Sequence, residues 1–179
     1  MLKYFAGILI VLSVSISFSV KAQNTDTWRL QLRRAIDSEA VTDSLFDKLD
    51  KVSPKPPLVG GYLGALYGLK AKYTWNPYSK LKYVDNAQDA FAAAVKKDPH
   101  NMEIRFLRLS VEVNLPAFLR MSRHVDEDRV QIIEQLQAKN YPGNNNRDLT
   151  ITIIKYVMEN GRCSPEEIER LNEQLALLK

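Results

Sequence analysis

Near the middle of the chain, residues Asn86 to Asn101 put Ala87, Phe91, Ala94 and Val95 on one side of a helix and stop it with Asp98-Pro99. A proline one or two residues past a helical pattern cannot continue the helix, and Asn101 behind it has a side chain suited to capping the next one. The segment therefore predicts two consecutive helices joined by a tight turn. Its alanines further require a neighbouring helix that comes close, because small side chains leave that side unfilled.

The flanking sequence extends the pattern in both directions. Thr27 to Ile36 carries Trp28, Leu32 and Ala35 at helical spacing, and Val41, Leu45, Phe46, Leu49 and Val52 form a second stripe with Thr42 or Asp43 as its expected cap. Ser53-Pro54-Lys55-Pro56-Pro57 ends that stripe. Leu58 to Lys72 is apolar around a wide arc and interspersed with Gly60, Gly61, Gly64 and Gly68, which lowers helicity by up to ~1 kcal/mol each but permits close backbone approach. Tyr73 to Ser79 reads as an aromatic loop, followed by a helix from Leu81 to Lys97.

Beyond Asn101, Ile104, Phe106, Leu107, Leu109, Val111 and Val113 make a broad apolar helix. Pro116 opens a piece bearing Phe118, Leu119 and Met121. Asp126 is the expected cap of a helix with Val130, Ile133 and Leu136, and Tyr141 to Asn146 reads as a polar loop. The β-branched run from Thr150 to Ile154 suits a strand or a helix; its length and the continuation through Met158 favour helix. Ser164-Pro165-Glu166-Glu167 has the hydroxyl, proline and Glu of a capping box before the seam Ile168, Leu171, Leu175 and Leu178. The expectation is an all-α bundle, or short helical array, of about seven to nine helices.

Met1 to Ala22, with a basic start at Lys3 and an apolar run from Tyr4 to Val20, reads as a secretory signal peptide cut after Ala22. Residues 23–179 are then a single exported domain, periplasmic or secreted, with no stable transmembrane segment after cleavage. Losing Lys3 and Lys21 lowers the net charge from +4 to about +2, which gives no reason to expect nucleic acid as a partner. The single cysteine, Cys163, excludes an intramolecular disulfide, so stability must come from packing.

Leu63-Gly64-x2-Tyr67 on one helix, with Ala87-x3-Phe91, Ala94 and Pro99 on the next, resembles the signature of the tetratricopeptide-repeat superfamily. The resemblance covers one degenerate repeat within residues 58–113, its helix pair at 58–97. Gly60 stands where the pattern has Trp, and Tyr67 to Ala87 is about twice the usual spacing, the aromatic segment being the insertion. The resemblance implies packing through Leu63, Gly64, Tyr67, Ala87, Phe91, Ala94 and Pro99, and a binding role toward other proteins.

Phosphate loops, nucleophile elbows, paired-His motifs and Cys-x2-Cys pairs are all missing, so no catalytic residue, metal ligand or cofactor is expected. His124 with Asp126, Glu127 and Asp128 has no metal-site spacing and reads as a helix start. Arg105 and Arg108, one turn apart, either join Arg120 and Arg123 in a basic strip for phosphate or carboxylate, or pair within the helix as Arg108 with Glu112. Tyr73, Trp75 and Tyr78 either stack on a sugar or peptide proline or close the top of a helix pair. The leading expectation is an adaptor or assembly factor for another cell-envelope protein. The alternatives are a module for an anionic envelope glycan or lipid headgroup, and a small hydrolase built from distant carboxylates.

Overall fold

The computed structural model describes residues 25–115 and 123–178, with the side chain of Asn144 left out. The segment read as a signal peptide and the piece from Pro116 to Met121 lie outside them. Among the described residues every regular element is a helix. Helix α1 covers residues 25–35, followed by α2 (Glu39–Asp50), α3 (Pro57–Tyr73), α4 (Pro77–Lys97), α5 (Met102–Asn114), α6 (Val125–Gln137), the single turn α7 (Pro142–Asn145), α8 (Arg147–Asn160) and α9 (Pro165–Leu177). None of the helices in the described residues is long and apolar enough to cross a membrane.

Helices α3 and α4 form the most extensive pairing. Glycine spacing on α3 explains why. A Cβ at Gly64 would lie 2.9 Å from the Phe91 ring and one at Gly60 would lie 3.3 Å from Ala94, so this side of α3 is fitted to α4. Gly61 and Gly68 face Ile104 and Val111 of α5 instead, at 3.3 and 2.9 Å. Helix α3 is thus clasped between two helices, and the propensity its glycines lose is offset by close apolar contact on two sides.

Two apolar clusters meet at α5. One joins α1 to α4 through Ala35, Leu45, Leu49, Tyr62, Leu66 and Phe91, and takes Leu107 from α5. The other takes Met102 and Leu109 from α5 and adds Val125, Ile132, Leu136, Ile153, Val157 and Leu171. With core on two sides, α5 buries Glu103, Arg105, Arg108 and Glu112 along with its apolar residues.

Several local expectations are met. Asn101 caps α5 by accepting from the Ile104 amide, residues Thr150 to Ile154 are helical, Gly161 ends α8, and both halves of the Ser164–Glu167 capping box are formed. Others need correction. Ser38, not Thr42 or Asp43, caps α2; Thr42 is buried and its hydroxyl donates to the Ala35 carbonyl. Asp126 does not cap α6, because the helix starts at Val125 and Asp126 lies within its first turn, where it pairs with Arg129; the N-cap position is His124, without a side-chain cap bond. The loop from Tyr141 to Asn146 contains the turn α7.

The aromatic loop is shorter than its composition suggests. Asn76 accepts from the amides of Tyr78 and Ser79, and Pro77 occupies the first turn, so α4 begins four residues before Leu81. Tyr73 is the last residue of α3 and Tyr78 lies inside α4. The extra length between the two motif halves is taken up by added helix.

Candidate functional site

The sequence nominated two groups, Tyr73, Trp75 and Tyr78 on one hand and Arg105 and Arg108 on the other. The structure places them at opposite ends of α4. Trp75 immediately precedes the α4 N-cap, whereas the Arg105 side chain donates through Nε to the carbonyl of Pro99, just past the α4 C-terminus, at 2.9 Å. A helix of 21 residues is about 30 Å long. One ligand of ordinary size does not reach both groups.

Arg105 and Arg108 are committed elsewhere. Arg108 forms a two-pronged pair with Asp128, Nε to Oδ2 at 2.7 Å and Nη2 to Oδ1 at 2.6 Å, and Arg105 donates to Asp128 at 3.0 Å and to Glu127. Asp128 is fully buried, and both arginines are nearly so. Burial works against the charge of Arg108, but its bonds to Asp128 outweigh that and hold its pKa above the ordinary guanidinium value. The Glu127 carboxyl is likewise held below its usual range: burial opposes this, and the bond from Arg105 with the charge of Arg108 prevails. Glu112 does not carry the intrahelical pair expected for Arg108; it accepts from the His124 backbone amide at 2.8 Å and lies 2.7 Å from the His124 Nδ1. Of the acidic run after His124, Glu127 and Asp128 serve as counter-charge for α5, and Asp126 pairs with Arg129 of α6. Of the remaining arginines in the expected strip, Arg123 is exposed and Arg120 lies outside the described residues.

A second buried network lies near the N-terminal end of α5. Arg29 grips Glu103 with Nε to Oε1 at 2.9 Å and Nη2 to Oε2 at 2.7 Å, and the Tyr62 hydroxyl donates to the same Oε1 at 2.7 Å. Burial first, and then the neighbouring Glu103 charge, push the Tyr62 phenol far above its ordinary pKa, so it stays a donor. Arg29 is held in its charged form by Glu103 against the cost of burial. The guanidinium also needs Gly143: with φ at 56°, a Cβ there would lie 2.5 Å from Arg29 Nη2.

Beside this network opens a cleft of about 610 Å³. It is lined by Arg29 and Asp26 of α1, Leu58 of α3, Met102 and Glu103 of α5, the turn residues Asp98, His100 and Asn101, and the segment from Asn140 to Gly143. The lining mixes apolar surface with more carboxylates than cations. The sequence reading missed this site. A usable signal was present, since Glu103 sits among Met102, Ile104 and Phe106 on a helix apolar on two sides, and a carboxylate there requires a buried partner.

The opposite end of the molecule is built differently. Trp75 is 98% exposed, Tyr78 84% and Leu81 50%, all around the start of α4. Tyr73 folds back instead, its hydroxyl donating to the carbonyls of Ala35 and Ile36 at 3.0 and 2.7 Å. Of the three nominated aromatics, one closes the top of the helix pair and two project into solvent. Cys163 donates to the Val157 carbonyl at 3.3 Å, and burial, then the charge of Glu167, raise its thiol pKa, an unreactive setting.

No family model matches the chain, and neither does any curated protein or solved structure. The functional reading therefore rests on the geometry of these two ends.

Proposed function

We propose that the protein is an exported adaptor of the cell envelope, which holds a segment of another envelope protein in the cleft beside Glu103. The observation that carries this reading is the cleft's preorganisation. Its lining residues Arg29 and Glu103 are locked to each other and, from beneath the lining, by Tyr62, so a bound segment need not order them. Apolar side chains of the partner pack on the half-buried Leu58 and Tyr141, and a basic group meets Asp98 and the exposed Asp26, whose carboxylate is shared with Arg29. The α3–α4 pair, packed through Gly64 on Phe91 as the tetratricopeptide resemblance implies, supports a scaffold role and binding without a cofactor. The alternative of one anionic glycan or headgroup held jointly by the aromatics and by Arg105 and Arg108 is disfavoured, because those arginines already neutralise Asp128.

Affinity purification from envelope extract, with the wild-type chain and His100→Trp side by side, tests the reading. His100 is exposed in the cleft lining, and a large ring there obstructs the cleft without entering the core. A partner that survives moderate salt with the wild type and is lost with the variant is the expected result. If no partner survives, the adaptor role fails; if both chains retain it equally, the cleft is not where it binds.

A further inference from the structure

The cleft leaves the other end of the molecule without a role, and its surface chemistry is specific. Trp75 and Tyr78 project almost freely from a rigid two-helix hairpin, and Leu81 follows Tyr78 on the same face of α4. Ile36, from the turn between α1 and α2, is exposed at the same end, its carbonyl receiving a bond from Lys72 at 2.6 Å. Together these side chains form an exposed apolar tip. Around it the last turn of α1, the start of α2, the end of α3 and the first turns of α4 contribute Arg33, Arg34, Lys72, Lys80 and Lys82 against Asp37 and Glu39. This excess of cations contrasts with the near balance of charge over the whole chain.

We infer that this tip inserts into the interface of an anionic phospholipid bilayer. A bilayer parts around side chains that enter it and needs no preformed pocket on the protein. Indole and phenol rings suit the boundary between headgroup and acyl chain, where the ring is buried while its N–H or O–H keeps a polar partner. Charge complementarity selects the anionic surface, since cations beside the inserted rings meet lipid phosphates within a Debye length. This binding is independent of the cleft, and together the two ends would hold a partner segment near a membrane surface.

The test is quenching of Trp75 fluorescence in the chain from Gln23 to Lys179 by brominated-lipid vesicles, with Trp75→Phe subtracted to remove the signal of Trp28, the other tryptophan. Because the readout is local to Trp75, it does not respond to membrane contact elsewhere in the chain. Brominated phosphatidylglycerol vesicles should quench Trp75 at low salt and progressively less as salt rises, whereas brominated phosphatidylcholine vesicles should not. Lys80→Gln/Lys82→Gln should weaken the anionic binding by about 25-fold, each cation near such a surface contributing roughly fivefold. Circular dichroism identical to that of the wild type keeps this variant interpretable. No quenching by anionic vesicles at low salt overturns the inference, and so does equal quenching by both lipids. Shielding of Trp75 without lipid overturns it too: on adding envelope protein it indicates a protein partner, with rising chain concentration a second copy, and with soluble glycerol phosphate a headgroup pocket.

Discussion

The two ends of α4 spend their polar and apolar groups in opposite ways. Beyond its C-terminus, three arginines and two carboxylates that sequence alone would leave in water are drawn inside and paired, with Arg105 and Arg108 on Asp128 and Arg29 on Glu103. At its N-terminus, Trp75 and Tyr78, which composition would assign to a core, are left outside. The first end is a structural region whose charges are not free for a ligand, and the cleft beside it is shaped by their rigidity. The second contributes little to the fold, and its exposure is informative because large apolar side chains clustered on a surface mark a contact site.

Asp128→Ala sharpens this contrast most. It removes the buried carboxylate shared by two buried guanidinium groups, leaving them only the half-exposed Glu127 as counter-charge, and should lower stability by about 3–5 kcal/mol, read as a large fall in urea midpoint. A loss under about 1 kcal/mol would mean that the arginines swing out to solvent, and the distinction between the ends would collapse. Gly64→Ala comes next. Its new Cβ meets the Phe91 ring at 2.9 Å, so overpacking of about 1–3 kcal/mol should exceed the gain in helix propensity. Gly60→Ala, with 3.3 Å to Ala94, should cost less in the same denaturation series.

Tyr62→Phe probes the buried network through pH. The folded state raises the Tyr62 pKa, so its contribution is fully present below the unfolded value of about 10 and is lost as pH climbs above it. The variant should be less stable at neutral pH by about 1–2 kcal/mol, through the lost bond to Glu103, and should show a shallower decline above pH ~10. Parallel stability curves for the two chains across that alkaline range would show that Tyr62 is solvated. The smallest effect on the fold belongs to Trp75→Ala/Tyr78→Ala, within about 0.5 kcal/mol of wild type in thermal denaturation. A larger loss would place these rings in the fold after all.

Helices and their ends were largely legible in the sequence where one local signal dominated. Asn101, Gly161 and the Ser164–Glu167 box act within one turn of themselves, so no distant residue was needed to read them. Asn76-Pro77 carried an equally local signal, and the dense aromatics around it obscured the start of α4. Ser38 was passed over for Thr42 and Asp43, which sit nearer the apolar stripe. Of the candidate site, the aromatic cluster was visible as composition, but which of its rings face solvent was not. Tyr73 turns inward only because the end of α1 brings the carbonyls of Ala35 and Ile36 within reach of its hydroxyl.

By itself, the sequence determined an all-helical chain, the Asp98-Pro99 break, and a close α3–α4 approach through Gly64, Ala87, Phe91 and Ala94. Periodicity, capping and side-chain size are properties of a segment and its immediate neighbours. Only the tertiary structure decided that Arg105 and Arg108 belong to Asp128, that Arg29 and Tyr62 close on Glu103, and that a cleft and an aromatic tip lie about 30 Å apart along α4. Those pairings join residues 20 to 74 positions apart, and a buried charge takes whichever counter-charge the packing brings within hydrogen-bond reach.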